Sequence, residues 1–359
     1  MVFGSAFRPP NVGLDIGTSA LKAVVLRKGR GSNWSLVAAG EAPIPEHSQE
    51  GTPADPTAVS VAINELLDSM KVKRARVAAA LSGHAVIVKR LSLPAMSPAE
   101  LSEAIPWEAE QYIPFDLSEV QLDYQVVNSG ATPADGAAKP GLDVLLVAAK
   151  KDRIDDRAGV IAQTGRRPVV LDIEAFALAN AYQMNYPERT DPLAALVHVG
   201  RNVTIVCLLE RGEPVFTRDI SIGGQVHQDA LVRDLGGMGI DELGARRILH
   251  GQIPGDVHAD QVAGVLRDAT SQLVLEIRKT VDFYRATAPV EKLSRVVLSG
   301  GAWQAVGLVD LLASEFAAPV DVFDPFRKIA KSGRSIGADI AGPAFAVAVG
   351  LAMRQEGDR

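Results

Sequence analysis

Cysteine is all but missing: the single Cys207 among 359 residues cannot close an internal disulfide, so no covalent framework holds the fold and a reducing compartment suits the chain. Cys207 itself lies inside the apolar, strand-like run VTIVCLL. Positive charge is also short, since 37 Lys and Arg stand against 43 Asp and Glu, for a formal net charge of -6. That balance gives no general attraction to phosphate backbones or anionic lipid, which argues against nucleic acid as the main partner. The basic run Arg327, Lys328, Lys331, Arg334 is local and reads as a solvated loop. Long apolar runs are absent as well. The opening MVFGSAFRPPN has no signal-peptide core, and AGPAFAVAVGLAM near the end falls short of the roughly 20 residues that span a bilayer. A cytosolic protein is expected, free to dock onto a membrane protein. What is present, 47% hydrophobic and 22% charged residues, is ordinary soluble composition, and the length allows two or three domains.

The first third opens on an apolar run from Val12 to Ile16, a tight turn, a second run from Leu21 to Leu26, the turn KGRGSN and a third run from Trp34 to Ala39. This predicts a three-stranded meander. The pattern returns between 195 and 222 as ALVHVG, RNVTIVCLL and ERGEPVFTRDISI. Gly13 to Leu26 superposes on Leu196 to Leu209 at a constant offset, so that Gly17 matches Gly200 and Asp15 matches His198. A duplicated unit of this kind, each half followed by helices, predicts two similar α/β domains with the site in the cleft between them. Helical spacing is seen over Asp55 to Lys71, near Gln225 to Leu235, over Ile240 to His250 and from about Ala259 to Arg285, and a further helix is expected directly after VVLSGG. The block from about Val77 to Thr164 belongs to neither meander. Strands at VAAAL, AVIVKRL, LDYQVV and DVLLVAA surround a helix that Ser97, Pro98 and Glu100 cap and that Pro106 should break early. It reads as an inserted subdomain, with the Gly-, Pro- and Ala-rich loop 128–141 mobile.

The corner GLDIGTSALKAVVL crowds Asp15, Thr18, Ser19 and Lys22 around Gly17. Glycine lets the backbone approach a phosphate, and amides and hydroxyls donate to its oxygens. Asp15 at the strand end is placed to hold Mg²⁺ through water, and Lys22 to neutralise the outer phosphates. In VVLSGGAW, Ser299, Gly300 and Gly301 leave a flat surface for a purine or make plain turn chemistry. Glu276 and Lys279, three apart on one helix, face the same way and form either a surface ion pair or contacts to ribose and base edge.

These residues carry a resemblance. DIGTSALK, HVGRNVT and LSGGA look like the phosphate-one, phosphate-two and adenosine motifs of the actin-like ATPase superfamily, which includes sugar kinases, heat-shock chaperones and the division protein FtsA. Within it, LSLPAMSPAELSEAIPWEAEQYIPFDLSEVQLDYQVV resembles the signature of the PilM family of type IV pilus assembly, and the similarity continues through TRDISIGG and EIRKTVDFY. The resemblance implies an α/β, two-lobed actin-like fold of duplicated ribonuclease-H-like domains with an FtsA-like inserted subdomain. The first lobe is expected over 1–76, completed by 165–190 and 330–359; the insert over 77–164; and the second lobe over 191–329, with a small helical subdomain at about 236–275. The implied ligands are ATP and Mg²⁺. Gly17, Thr18, Ser19, Lys22, Gly200, Asn202, Glu276, Lys279, Ser299, Gly300 and Gly301 would surround the nucleotide, and Asp15 would hold the metal through water. The implied partner is the cytosolic N-terminal peptide of a PilN-like inner-membrane protein, bound in a groove beside the insert, with room for other pilus platform proteins and for self-association. Trp107, Tyr112 and Phe115 are candidates to line that groove, although at least two of them are expected in the core.

One residue departs from the superfamily pattern. Its phosphate-two motif starts with aspartate, and here that place holds His198. A neutral imidazole cannot replace a carboxylate in ordering the waters of Mg²⁺, so ATP binding with weak or absent hydrolysis is expected, with Glu174 in VVLDIEAFAL the candidate to position an attacking water. A sugar-type kinase with Asp172 or Glu174 as base is the runner-up, but the chain is short for that class and no polar sugar-binding cluster is evident. An FtsA-like filament former would end in an amphipathic anchor, whereas LAMRQEGDR directly follows the last core segment.

Overall fold

The computed structural model describes residues 11–29, 33–45, 55–83, 86–128, 141–255, 257–287, 292–340 and 342–358. The chain opens with an antiparallel meander of β1 (Asn11–Ile16), β2 (Ala20–Lys28) and β3 (Trp34–Pro43). α1 (Pro56–Ser69) follows, its start fixed by the Asp55 carboxylate, which accepts from the N–H groups of Thr57 and Ala58. β4 (Arg76–Leu81) runs parallel to β1. The chain then leaves this sheet for β5 (Val86–Leu93), α2 (Pro98–Glu110), β6 (Val120–Asn128) and β7 (Leu142–Lys150), and returns through α3 (Lys151–Gln163), β8 (Arg167–Ile173) and α4 (Glu174–Asn185). A second meander comprises β9 (Ala194–Val199), β10 (Thr204–Glu210) and β11 (Glu213–Ile220), followed by α5 (Gln225–Leu235), α6 (Glu242–Leu249) and α7 (Ala259–Thr287). β12 (Arg295–Ser299), α8 (Leu308–Phe316), β13 (Val320–Val322), β14 (Ile329–Ala330) and α9 (Ala346–Met353) complete it.

The first sheet has the order β14-β3-β2-β1-β4-β8 and the second β11-β10-β9-β12-β13. Apart from β14, one topology occurs twice: an antiparallel meander extended by parallel strands. Even the turns agree. The Gly17 N–H donates to the Ala20 carbonyl at 3.2 Å, and the Gly200 N–H to the Val203 carbonyl at 2.9 Å. β1 and β9 are buried almost throughout, as strands covered on both faces must be.

Between the sheets lie α4 and α9, and one apolar cluster joins Val24 and Ala39 of the first sheet to Leu178 and Val349 of these helices and to Leu196 and Ile205 of the second sheet. Such a thin layer requires small residues. A methyl group on Gly350 would fall 1.8 Å from the Ala177 carbonyl oxygen, and one on Gly13 would fall 2.1 Å from that of Ala348.

A third sheet, β5-β7-β6, carries α2 on one face, with Leu101, Ile105 and Ala109 packed on Leu91, Val144 and Leu146. The expected capping box of Ser97 and Glu100 is present. Several local expectations change. VAAAL is not part of this block: as β4 it sits between β1 and β8, because a run buried on both faces fits a central strand and not a satellite sheet. α3 also docks elsewhere, with the Val160 carbonyl accepting from the Ser60 hydroxyl of α1 at 2.9 Å. Pro106 does not end α2, which runs on to Glu110; the bond it removes faces solvent at exposed Ser102, where water can serve that carbonyl. Trp107 is 73% exposed, since it lies on the helix face opposite Leu101, Ile105 and Ala109. The loop expected to be mobile lies outside the described residues from 129 to 140.

Gly350→Ala is expected to destabilise the fold by about 1 to 3 kcal/mol through overpacking. Gly159→Ala, where a methyl group meets no atom within 4 Å inside α3, should instead be neutral or stabilising by up to about 1 kcal/mol. Urea midpoints measured at constant m value distinguish the two.

Candidate functional site

β1 ends at Asp15 and Ile16, Gly17 turns the chain, and Lys22 of β2 then pairs in register with Asp15. Both charged side chains are buried, and Lys22 Nζ lies 3.9 Å from Glu41 Oε1 on β3. Two more charges enter from neighbouring elements. Arg157 of α3, only 4% exposed, donates from Nη1 to the Ile16 carbonyl at 3.3 Å. Glu174 opens α4 and accepts a hydrogen bond from the Ser82 side chain. Burial raises the Asp15 pKa above the usual carboxylate range even though Lys22 and Arg157 pull it down. Glu174 is pushed up to about 8 by burial and by the charges of Asp15 and Asp219, against the opposing pull of Arg157. The raised pKa favours the protonated form of Glu174 at neutral pH.

At the position that matches Asp15 the second half has no acid. His198 is buried, its Nδ1 lies 3.0 Å from the Ser299 Oγ, and burial together with Lys22 pushes its pKa down to about 3. The ring is neutral at any ordinary pH. The counterpart of Lys22 at the same offset is buried Ile205, and the charge that the second half adds near Glu174 is that of Asp219 on β11.

The glycines open the surface between these groups. Gly300 has φ +98, and a Cβ there would fall 2.2 Å from the Val199 carbonyl oxygen, so no other residue fits. A Cβ on Gly301 would meet nothing within 4 Å, which leaves room for a flat group. The helix expected directly after this pair begins only at Leu308, so the glycines lie in a loop and not at a helix N-terminus. Gly224 donates its N–H to the Gly200 carbonyl at 2.9 Å and thereby fixes the second turn against the start of α5. Thr18, Ser19 and Asn202 sit on the two turns, with Ser19 exposed. Glu276 and Lys279 bond to each other at 2.6 Å on the surface of α7. Among the described residues no group of three His, Cys, Asp or Glu could hold a metal directly. The Asp15 carboxylate, at the end of β1, fits a metal held through water, as Mg²⁺ keeps much of its hydration shell.

Sequence reasoning missed Arg157, Ser82 and Asp219. Arg157 sits in the polar helix KDRIDDRAGV, where an arginine reads as solvated, Ser82 belongs to no motif, and Asp219 lies inside TRDISIGG without having been singled out there. Ser82 and Asp219 mark the connection into the third sheet: Gly83, with φ +79, donates its N–H to the Asp219 carboxylate of β11. Farther along, Arg90 of β5 bonds Asp143 at 2.8 Å and lies 3.9 Å from Glu210, which accepts from the Tyr284 hydroxyl of α7 at 2.9 Å.

A second concavity of about 460 Å³ separates the third sheet from the first lobe. β6 and β7 form one wall; Ile173, Phe176, Asn180 and Gln183, at helical spacing into α4, form much of the other. Asp172 lies here, not in the cleft with Asp15. Its Oδ2 is 3.2 Å from Arg354 Nε and its Oδ1 accepts from the Ile173 N–H at 2.8 Å, which leaves it committed to structure. Tyr112 is exposed and Phe115 packs on the α2 core, while the aromatic residues of this groove are Tyr124 and Phe176.

Two duplicated sheets around a shared helical layer, with glycine turns facing one cleft, define the actin-like ATPase fold. Residues 13–356 match the family model of the type IV pilus assembly protein PilM, and the chain belongs to that family. It is similar to a chain of the PilM-PilN type IV pilus biogenesis complex, with 28% identity, TM-score 0.81 and coverage of 97% of this chain and 98% of that one. The ethanolamine utilization protein EutJ from Carboxydothermus hydrogenoformans shares 16% identity at TM-score 0.57, over 96% and 89% of the two chains. MreB5 of Spiroplasma citri bound to AMPPNP shares 13% at TM-score 0.51, over 96% and 95%. These last two share the fold. Among the described residues no helix is long and apolar enough to cross a membrane.

Because the Glu174 pKa is raised in the folded state, the folded chain holds a proton that the unfolded chain releases between the ordinary 4.5 and about 8. Stability should therefore fall as pH rises through that window, by up to about 1.4 kcal/mol per pH unit. Glu174→Gln should flatten the slope. Urea denaturation of nucleotide-free protein in EDTA, at pH 5.5 and pH 8, measures both.

Proposed function

We propose that the chain is an ATP-binding scaffold of the type IV pilus inner-membrane platform, which captures the cytosolic N-terminal peptide of a PilN-like membrane protein. The observation that carries this reading is the groove between the third sheet and α4: its wall residues Phe176 and Asn180 belong to the same helix whose first residue, Glu174, enters the cleft. One helix thus serves both ligands. The likeness to the PilM-PilN complex supports the choice of partner.

ATP and Mg²⁺ would lie between the two glycine turns. Lys22 offsets the outer phosphates, Asp15 holds the metal's water shell, Gly17 and Gly200 bring main-chain amides close, and the open surface at Gly301 receives the base. Thr18, Ser19 and Asn202 would donate to phosphate oxygens, and Ser299, Gly300, Glu276 and Lys279 would border the nucleoside. Bound nucleotide changes the charge around Glu174 and Asp219, which hold Ser82 and Gly83 at the hinge, and so sets the angle of the third sheet and the width of the groove. In this arrangement the first lobe comprises residues up to 81 with 151–190 and 330–359. The second lobe takes 191–329, with its helical subdomain at about 236–275. The insert of 77–164 narrows to the third sheet and α2, at 86–150. The protein reaches the inner membrane through its partner.

Lys22→Ala should weaken ATP binding by about 1.5 to 3 kcal/mol, the range of a charge-assisted hydrogen bond. Calorimetry on folded protein tests this, and unchanged affinity overturns the nucleotide site. Turnover by the wild type should lie far below about 1 s⁻¹. His198→Asp should raise single-turnover hydrolysis and Glu174→Ala should reverse the gain; enzyme-like wild-type rates insensitive to Glu174 would contradict the assigned roles.

A further inference from the structure

The basic run Arg327, Lys328, Lys331 and Arg334 lies at β14 and its flanks, and β14 forms one edge of the first sheet. Register sets Lys28 of β2, Trp34 of β3 and Ile329 of β14 in one row, and Arg27, Ser35 and Ala330 in the next. The run and the end of β2 therefore share one corner of the molecule. All six cations are exposed there, in a chain whose net charge is -6.

Rings hold several of them where carboxylates do not. Lys28 Nζ lies 5.6 Å from the centroid of the Trp34 ring, Lys331 Nζ 4.9 Å from that of Phe326, and Arg327 Cζ 4.6 Å from that of Tyr186. All three rings belong to, or pack on, the apolar cluster that joins the two sheets, so the core fixes these seats. Glu188 pairs with Arg327 and Lys328, and Asp324 accepts from the Phe326 N–H at 2.9 Å. Among the described residues no carboxylate pairs with Arg27, Lys28, Lys331 or Arg334. A carboxylate cancels the charge it holds, whereas a ring face holds a cation through its quadrupole and adds no net charge. The corner keeps its positive field and presents it to solvent.

We propose that this corner is a contact surface for anionic phospholipid headgroups. Its cations stand side by side across three strands, about 10 Å at about 4.8 Å per strand, and so face a layer of phosphates more than a single one. Half-buried Trp34, with a cation over its ring, has the amphipathic character that suits the headgroup level. The choice of lipid over another polyanion rests on the reading of the partner as a membrane protein, which brings this surface beside a bilayer. Each Lys or Arg near an anionic bilayer is worth about fivefold in partition, so four unpaired cations make a weak, salt-dependent contact. Such a contact gains effect once a partner already holds the chain at the membrane. The corner lies at the sheet edge opposite β8, which borders the groove, and at the end of β2 opposite the Gly17 turn. Contact with lipid leaves both sites open.

The test is sedimentation of the full chain, with no partner present, on vesicles of phosphatidylcholine alone and of phosphatidylglycerol and phosphatidylcholine in equal parts. Wild type should partition onto the anionic vesicles at low salt and leave them in about 0.5 M salt, where screening acts within about 4 Å. Lys28→Gln, Lys331→Gln and Arg334→Gln in one chain should cost about a hundredfold in partition. Lys73→Gln, Arg74→Gln and Arg267→Gln, which remove the same charge from other exposed positions, should cost less than about threefold. Lys28→Arg with Lys331→Arg should keep the binding, and matched urea midpoints check the fold of each variant. Equal loss in the two triple variants, equal partition onto neutral vesicles, or no partition at low salt overturns the proposal. So does single-stranded RNA that binds these cations while vesicles do not, or self-association that the first triple variant abolishes while vesicles stay unbound. A wild type that ignores the partner's peptide yet sediments through these cations bears out the lipid surface and overturns only the reading of the groove.

Discussion

The approach of α9 to α4, with Gly350 against the Ala177 carbonyl, sets the spacing of the whole molecule. Any side chain at that point would drive the helices apart, and the cluster that joins both sheets would open with them. α4 is buried on most sides by this contact. Its first residue is therefore held in the cleft, and its one open face, Phe176, Asn180 and Gln183, is held toward the third sheet. A helix packed this tightly moves as a unit.

The two halves keep one backbone and divide the chemistry. Their turns close with the same hydrogen bond, yet Asp15 and Lys22 in the first half stand where His198 and Ile205 stand in the second. Buried charges are tolerated when they compensate each other, and Arg157 joins Lys22 as countercharge on the first side. The second side avoids that cost with a neutral imidazole bonded to Ser299. The result is a cleft whose two matching turns carry different charge.

The third sheet is tethered where its movement would count. Ser82 and Gly83, between β4 and β5, are held by Glu174 and Asp219, one from each lobe. Arg90 adds a second tie through Glu210 to α7, the helix that carries Glu276 and Lys279. Positive φ at Gly83 lets the chain change direction there without strain.

Patterns that act within a few residues were legible from the sequence. The two meanders follow from apolar runs interrupted by glycine turns, the offset that matches Asp15 to His198 follows from their duplication, and the Ser97–Glu100 cap from its spacing. The family signature in the inserted block was legible for the same reason, being a continuous stretch. Tertiary structure decided the rest. It placed VAAAL in the first sheet, turned Trp107 to solvent, delayed α8 to Leu308, moved Asp172 into the groove and brought Arg157 against the end of β1. Each of these depends on which distant segment a strand or helix meets: Arg157 and Ile16 are 141 residues apart, and a local pattern fixes a conformation without naming its neighbour.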